Sequence, residues 1–451
     1  MTSPAKRARY YYWLIQSFFK KNSRFFVISI VVGFFFIFFV INFFPFLMGF
    51  LFRKNEIIGR VGQYTIDSPP SEVATLISNG LVTIDSKGKI IPLLTNLWGL
   101  SPDKKTYRFH LKSDLFWNNK ESFDAYDLNY DFKGISIKPK DTTTVDFVLS
   151  EPLSIFPVYL TKPIIKRPLI GVAGLYRVQG FALDKNKLKE VRLIPNRKDL
   201  PYKTFRFYQN EDELITAYKK GEITIFKTNK KNIADSFQKW KNTKISQIVD
   251  YSQIITLFFN TQSPFLSSRE VRRAIVNATP QSLEFGKLAS GPIPPTSWAF
   301  APNLRRYTYN LDRAHEVLGK SKTASGSAEI SFYTFYDYIG IAEQVKKSYE
   351  KAGLKTNLKV LSYLPQDFDL LLTAWNPPQD PDQYYFWHST QTEGNITNYK
   401  NVKVDKYLEE GRQKIQIDER KKIYQDFQKA IVDDLPAYFL YYPYVYVVER
   451  R

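Results

Sequence analysis

The stretch that decides the fold is ISNGLVTIDSKGKIIPLLTNLWGLSPDKKTYRFHLKSDLFWNN, residues 77–119. Leu81-Val82-Thr83-Ile84 is a short β-rich run, Asp85-Ser86-Lys87-Gly88 is a turn, and Lys89-Ile90-Ile91 returns. Tyr107-Arg108-Phe109-His110-Leu111 alternates apolar and polar residues, the period of a half-buried strand. Downstream the period changes. Val271, Ala274, Ile275 and Ala278 recur at helical spacing, and so do Ile341, Val345, Tyr349 and Ala352, a stripe that stops at Gly353. Ile423, Phe427, Ala430 and Ile431 mark a late helix, with Asp418 as its N-cap. Strands are expected at Thr356–Leu361, Asp369–Trp375 and Ala437–Val448. Helices alternating with strands predict an α/β architecture with partly parallel sheets.

Composition narrows the function. The chain has 451 residues, long enough for two packed lobes, and its 16% aromatic content can fill sizeable cores. It has no Cys, which excludes disulfides, thiolate metal sites, a cysteine nucleophile and a lipidated Cys. Three His, far apart, make a histidine metal centre a poor reading. The net charge of +20 is uneven: residues 1–54 hold eight basic residues and no acidic one. The other 397 residues carry 56 basic and 44 acidic side chains in dispersed order. That pattern is a solvated mixed-sign surface, and nucleic-acid binding is not expected.

From Phe25 to Phe52 no residue is charged and twelve are Phe. About 20 apolar residues span a bilayer core. Six basic residues precede the run and two follow it, so residues 1–24 are expected to be a cytoplasmic tail and 25–52 an uncleaved transmembrane signal anchor. Everything after Arg53 is then extracytoplasmic, periplasmic or extracellular.

Catalytic motifs fail on inspection. Gly319-Lys320-Ser321 resembles the end of a phosphate-binding loop, but Ala314 stands where that loop needs Gly, and the tripeptide reads as a helix end. Lys320–Ser327 reads as a surface loop. Asp380, Asp382 and Glu393 could surround a cation, but their spacing matches no cation-binding loop and a turn is the better reading. Asn277-Ala278-Thr279 and Asn395-Ile396-Thr397 fit a short glycosylation pattern that is common by chance. No nucleophile–base pair can be named, so no enzyme, metal or cofactor is expected.

Six segments in order resemble the family 5 extracellular solute-binding proteins, the dipeptide- and oligopeptide-binding receptors of ABC importers. They are residues 77–119 with SFDAYDL, GVAGLYRVQGF (171–181), LFFNTQSPFLSSREVRRAIVNA (257–278), GPIPPTSWAF (291–300), TAWNPPQDPDQYYFWHS (373–389) and residues 401–443. The resemblance implies a type II-like periplasmic-binding-protein fold of two α/β lobes. Lobe I would be 56–250 plus 436–451 and lobe II 251–435, with a ligand held between them. It also implies ABC permease subunits as partners, a peptide-like ligand and a monomeric receptor. An anchored sensor or scaffold of the same fold, uncoupled from transport, is the alternative.

The chain departs from the family in three places. Residues 128–144 cross in a few residues where the family often inserts a longer subdomain, so that subdomain is expected to be reduced or missing. The sequence stops at Arg451, soon after YFLYYPYVYVV, where relatives usually continue. Third, family members carry an Asp three residues before the Asp-Pro pair that receives a peptide's α-amino group; here Pro377 precedes Asp380-Pro381. This predicts that a free peptide N-terminus is not gripped in the usual way. The residues singled out for the ligand are Trp375, Trp298, Tyr384, Asp380 and Asn260. Each aromatic also fits plain core packing, Asp380 a structural turn and Asn260 a turn cap.

Overall fold

A computed structural model describes residues 4–51, 55–85, 87–281, 284–325, 329–365 and 367–451; within its helices the side chains of 4–8, 15, 26, 27, 30, 43–51 and 321–325 are not described. One compact unit comprises residues 1–56 with 199–202, and a second holds the rest of the chain.

The first unit contains two helices, Pro4–Lys21 and Ser23–Leu51. Tyr10, Tyr12, Trp13 and Phe18 of the first are exposed, as are Phe34–Phe36 of the second. Among the described residues no helix is long and apolar enough to cross a membrane. The expected span 25–52 lies partly outside that description, since the side chains of 43–51 and all of Phe52 are not in it.

The second unit is α/β. Its strands form a mixed twelve-stranded sheet organised by one long strand, Ala437–Arg450. The first half of that strand pairs with Ile254–Phe259 and Gly286–Leu288. Its second half pairs with Ile225–Thr228 and Thr243–Val249. Beyond Ile254–Phe259 the order runs Leu370–Trp375, Ile330–Phe335, Thr356–Leu361, the last three mutually parallel.

Side-chain alternation explains why this region is buried on both faces. Ile255, Leu257 and Phe259 join Leu370 and Leu372 in one core, under the helices Arg269–Asn277 and Ile339–Lys351. Ile254 and Phe258 join Leu371 and Trp375 in another, covered by the helix Ile417–Asp434. A strand covered on both sides reads as a continuous apolar run, as Ile254–Phe259 does.

The opening segment forms its own small structure. Val82–Ile84 and Ile90–Pro92 pair as a hairpin, and Asp85 caps its turn by accepting from the Lys87 and Lys89 N–H groups at 2.9 and 2.8 Å. A separate antiparallel sheet follows, ordered Thr95–Leu100, Thr106–Leu111, Thr144–Leu149, Ile135–Pro139. Between Leu128 and Thr144 the only strand among the described residues is the last of these, Ile135–Pro139.

Three local expectations are corrected. The helix over Leu311 runs to Ser325, so Gly319 and Lys320 lie within it and do not close it. For the same reason 320–325 is helix and not loop, while 326–328 fall outside the described residues. Asp418 sits in the first turn of the late helix; the cap position belongs to Gln416, whose side chain makes no capping bond. A carboxylate in the first turn still favours the helix through its dipole.

Candidate ligand-binding site

Ile330–Phe335, Thr356–Leu361 and Leu370–Trp375 run parallel, with the last continuing past the ends of the other two. In open α/β sheets the crevice outside the carboxyl ends of such strands is where ligands bind. Two contrasting structures lie at these ends.

One is a polar knot around Asp380-Pro381-Asp382. Asp380 is buried and takes a bidentate pair from Arg420 of the late helix, Nη2 to Oδ1 at 2.6 Å and Nη1 to Oδ2 at 3.1 Å. Its Oδ1 also accepts the Asp382 N–H at 3.0 Å, closing a turn. Asp382 accepts from Arg412 Nε at 3.0 Å, and Arg412 belongs to the helix Val402–Gln413. Burial raises the Asp382 carboxyl above its ordinary range, while the Arg412 charge pulls it down. Arg412 stacks 4.2 Å from the Tyr384 ring centroid, and Arg420 lies 5.2 Å from that of Trp298. The knot therefore joins Trp298, Asp380 and Tyr384.

Residues from the N-terminal half reach the same place. Ser154 donates to the Gln413 carbonyl through Oγ at 2.9 Å and to the Arg412 carbonyl through its N–H at 3.2 Å. Tyr159 interacts with Arg412, and burial pushes its phenol up. Gly88, at φ +77°, leaves room for the Trp298 indole, which any Cβ there would strike.

The other structure is an aromatic cavity of about 310 Å³ beside the carboxyl ends of Ile330–Phe335 and Leu370–Trp375. Phe258, Phe335, Trp375, Phe386 and Trp387 are among the residues that line it. Trp375 is 7% exposed, and among the described residues its buried indole N–H has no hydrogen-bond partner. Trp387 is anchored instead by donating to Gln383 Oε1 at 2.8 Å. The volume and lining suit a small ligand or one arm of a larger one.

Asn260 is placed otherwise. It donates to Asp367 Oδ1 at 3.1 Å and accepts from Asn398 Nδ2 and the Gln262 N–H at 3.2 Å each. Its polar atoms tie loops together outside the knot and do not line the cavity. Sequence reasoning missed Arg412 and Arg420. The available signal was the Asp380/Asp382 pair itself, because two buried carboxylates require cations. Asn277 and Asn395, the glycosylation candidates, are buried and donate to backbone carbonyls. Among the described residues no cluster of metal-ligating side chains occurs.

A larger, open groove of about 970 Å³ lies against Lys187–Glu190, Arg206–Tyr208 and the helix Glu211–Lys220. Its charged lining holds none of the expected residues, and it is far in topology from the converging strand ends.

The profile of the bacterial extracellular solute-binding proteins, family 5 (middle region), matches residues 129–397. The chain belongs to this family. It is 23% identical over 475 aligned residues to the di/tripeptide-binding protein 1 of Pseudomonas aeruginosa (strain UCBPP-PA14), covering 86% of this chain and 87% of that protein. Among solved structures it resembles NikZ from Campylobacter jejuni in complex with Ni(L-His), with TM-score 0.71, 21% identity and coverage of 88% and 94%. It also resembles the oligopeptide-binding protein AppA of Bacillus subtilis in complex with a nonapeptide, with TM-score 0.68, 17% identity and the same coverage. At such identities the structures speak for the α/β binding-protein fold of this family 5 chain.

Proposed function

We propose that this family 5 protein is an extracytoplasmic receptor for a peptide-like ligand, which it delivers to the permease subunits of an ABC transporter. The observation that carries the reading is the aromatic cavity at the carboxyl ends of the parallel strands in a solute-binding-protein fold. Lobe I is assigned to 56–250 plus 436–451 and lobe II to 251–435. Trp375 stands at the ligand, while Trp298, Tyr384 and Asp380 belong to the polar knot and do not line the cavity. Ser154 and Tyr159 on one lobe and Arg412 and Gln413 on the other are the contacts that closure around a ligand would hold. No step of bond making is assigned.

In the same reading, helix Ser23–Leu51 holds the receptor at the membrane with residues 1–24 cytoplasmic, and the receptor is a monomer. The basic, acid-free flank and the exposed aromatics of Pro4–Lys21 support a membrane location. Protease added to intact cells, with any outer envelope opened, should digest residues 55–451; full protection would overturn the topology. Mass spectrometry of material co-purifying with the full chain should return peptides. Recovery of no peptide, with scattering unchanged on adding a peptide mixture, would count against the receptor reading.

A further inference from the structure

Among the described residues lining the aromatic cavity, Glu393 alone is charged. It is exposed and, among the described residues, has neither hydrogen bond nor ion pair. The two carboxylates nearest to it in the sequence pattern, Asp380 and Asp382, are already matched by Arg420 and Arg412. The unspent negative charge is therefore at the cavity and not at the Asp-Pro turn. Tyr385 and Phe386 line the same cavity, and aromatic ring faces attract cations. Glu393 in open water attracts a cation only weakly. A ligand whose apolar arm fills the cavity displaces that water, lowers the local dielectric and strengthens the pair.

We propose that the cavity selects ligands carrying an ammonium group beside an aromatic or aliphatic arm, with Glu393 as the counter-ion. The proposal rests on the cavity being the ligand site. The arm enters between Phe258, Phe335 and Trp375. The arrangement rejects an anionic group at the same position. It replaces the amine site that Pro377 removes from the Asp-Pro segment, at a point the segment itself does not contain.

Calorimetry on the full chain in neutral phosphatidylcholine nanodiscs tests this with four probes: phenethylammonium, its neutral analogue 2-phenylethanol, the peptide Phe-Leu-Phe and its N-acetyl form. The ammonium probes should bind at least about tenfold tighter than their neutral counterparts, a difference of about 1.4 kcal/mol. E393Q should abolish that preference, and E393D should keep part of it. Glu393 is exposed, so neither variant should change the denaturation midpoint. Equal affinity of the wild-type chain for charged and neutral probes, or a preference that survives in E393Q, overturns the proposal. If Phe-Leu-Phe fails while phenethylammonium binds through Glu393, the peptide reading falls and the cavity proposal stands. If Phe-Leu-Phe binds the wild-type chain and E393Q equally, the peptide reading stands and the cavity proposal falls.

Discussion

Asp380 and Asp382 of the polar knot and Glu393 of the aromatic cavity come from one short stretch of sequence, yet the two structures treat their polar groups in opposite ways. In the knot every carboxylate is matched: Asp380 to Arg420, Asp382 to Arg412, each within 3.1 Å. In the cavity Glu393 has no partner among the described residues. Matched groups are committed to structure, and unmatched groups beside empty space are available to a ligand. That difference separates two roles that residue type alone does not.

The largest break in the comparison comes from removing one partner of the knot. Arg420→Met leaves Asp380, 7% exposed, as a buried charge without its cation. Such half-pairs cost about 3–5 kcal/mol, whereas replacing both partners by apolar groups is often neutral. The denaturant midpoint of R420M should fall accordingly, and D380L/R420M should recover most of the loss. A single variant costing under about 1 kcal/mol would mean that Asp380 is not held as a structural ion pair.

This also shows which parts of the chain are legible. The hairpin 82–92, the strand Thr356–Leu361 and the helix stripe at Val271, Ala274 and Ile275 follow local periods and capping residues, so they are readable from neighbours in sequence. Gly353 stops its helix at φ +78°, as its position indicates. The knot is not readable in this way, because Asp380 and Arg420 are forty residues apart and nothing local says which of many arginines arrives. The surroundings of Asn260 are hidden for the same reason: its partners Asp367 and Asn398 lie more than a hundred residues away. Asp380, Asp382 and Glu393 look alike as a sequence cluster, and only the fold separates the two spent carboxylates from the free one.

A change in the cavity should act on binding and spare stability. Thr373 lines the cavity, and its hydroxyl makes only one long contact, 3.5 Å to the Ala374 carbonyl. Thr373→Leu places methyl groups in empty space, and cavity filling of this kind typically adds about 0.5–2 kcal/mol. T373L should denature at the same or higher denaturant concentration while binding Phe-Leu-Phe at least about tenfold more weakly, a loss of about 1.4 kcal/mol. Destabilisation by more than about 1.5 kcal/mol would show that the space is packed in the folded protein and is not a ligand pocket.

The smallest effect is a pH dependence inside the knot itself. Asp382 has a side chain only 7% exposed, and burial raises its carboxyl above the ordinary 3.8 despite Arg412 and Arg420 nearby, with Asp380 adding like-charge repulsion. A raised carboxyl pKa means that the folded chain holds its proton to higher pH than the unfolded chain does. The associated stability is fully present below 3.8 and is lost as pH rises through the folded value. Asp382→Asn has no proton to release, so its stability lacks this loss. Urea midpoints of the two proteins from pH 3 upward should therefore show the wild-type chain losing ground to D382N as pH increases. A gap that stays constant, or that moves in favour of the wild-type chain, would mean that Arg412 outweighs burial. Asp382 would then be a net stabilising ion pair like Asp380, and the knot would hold two of them.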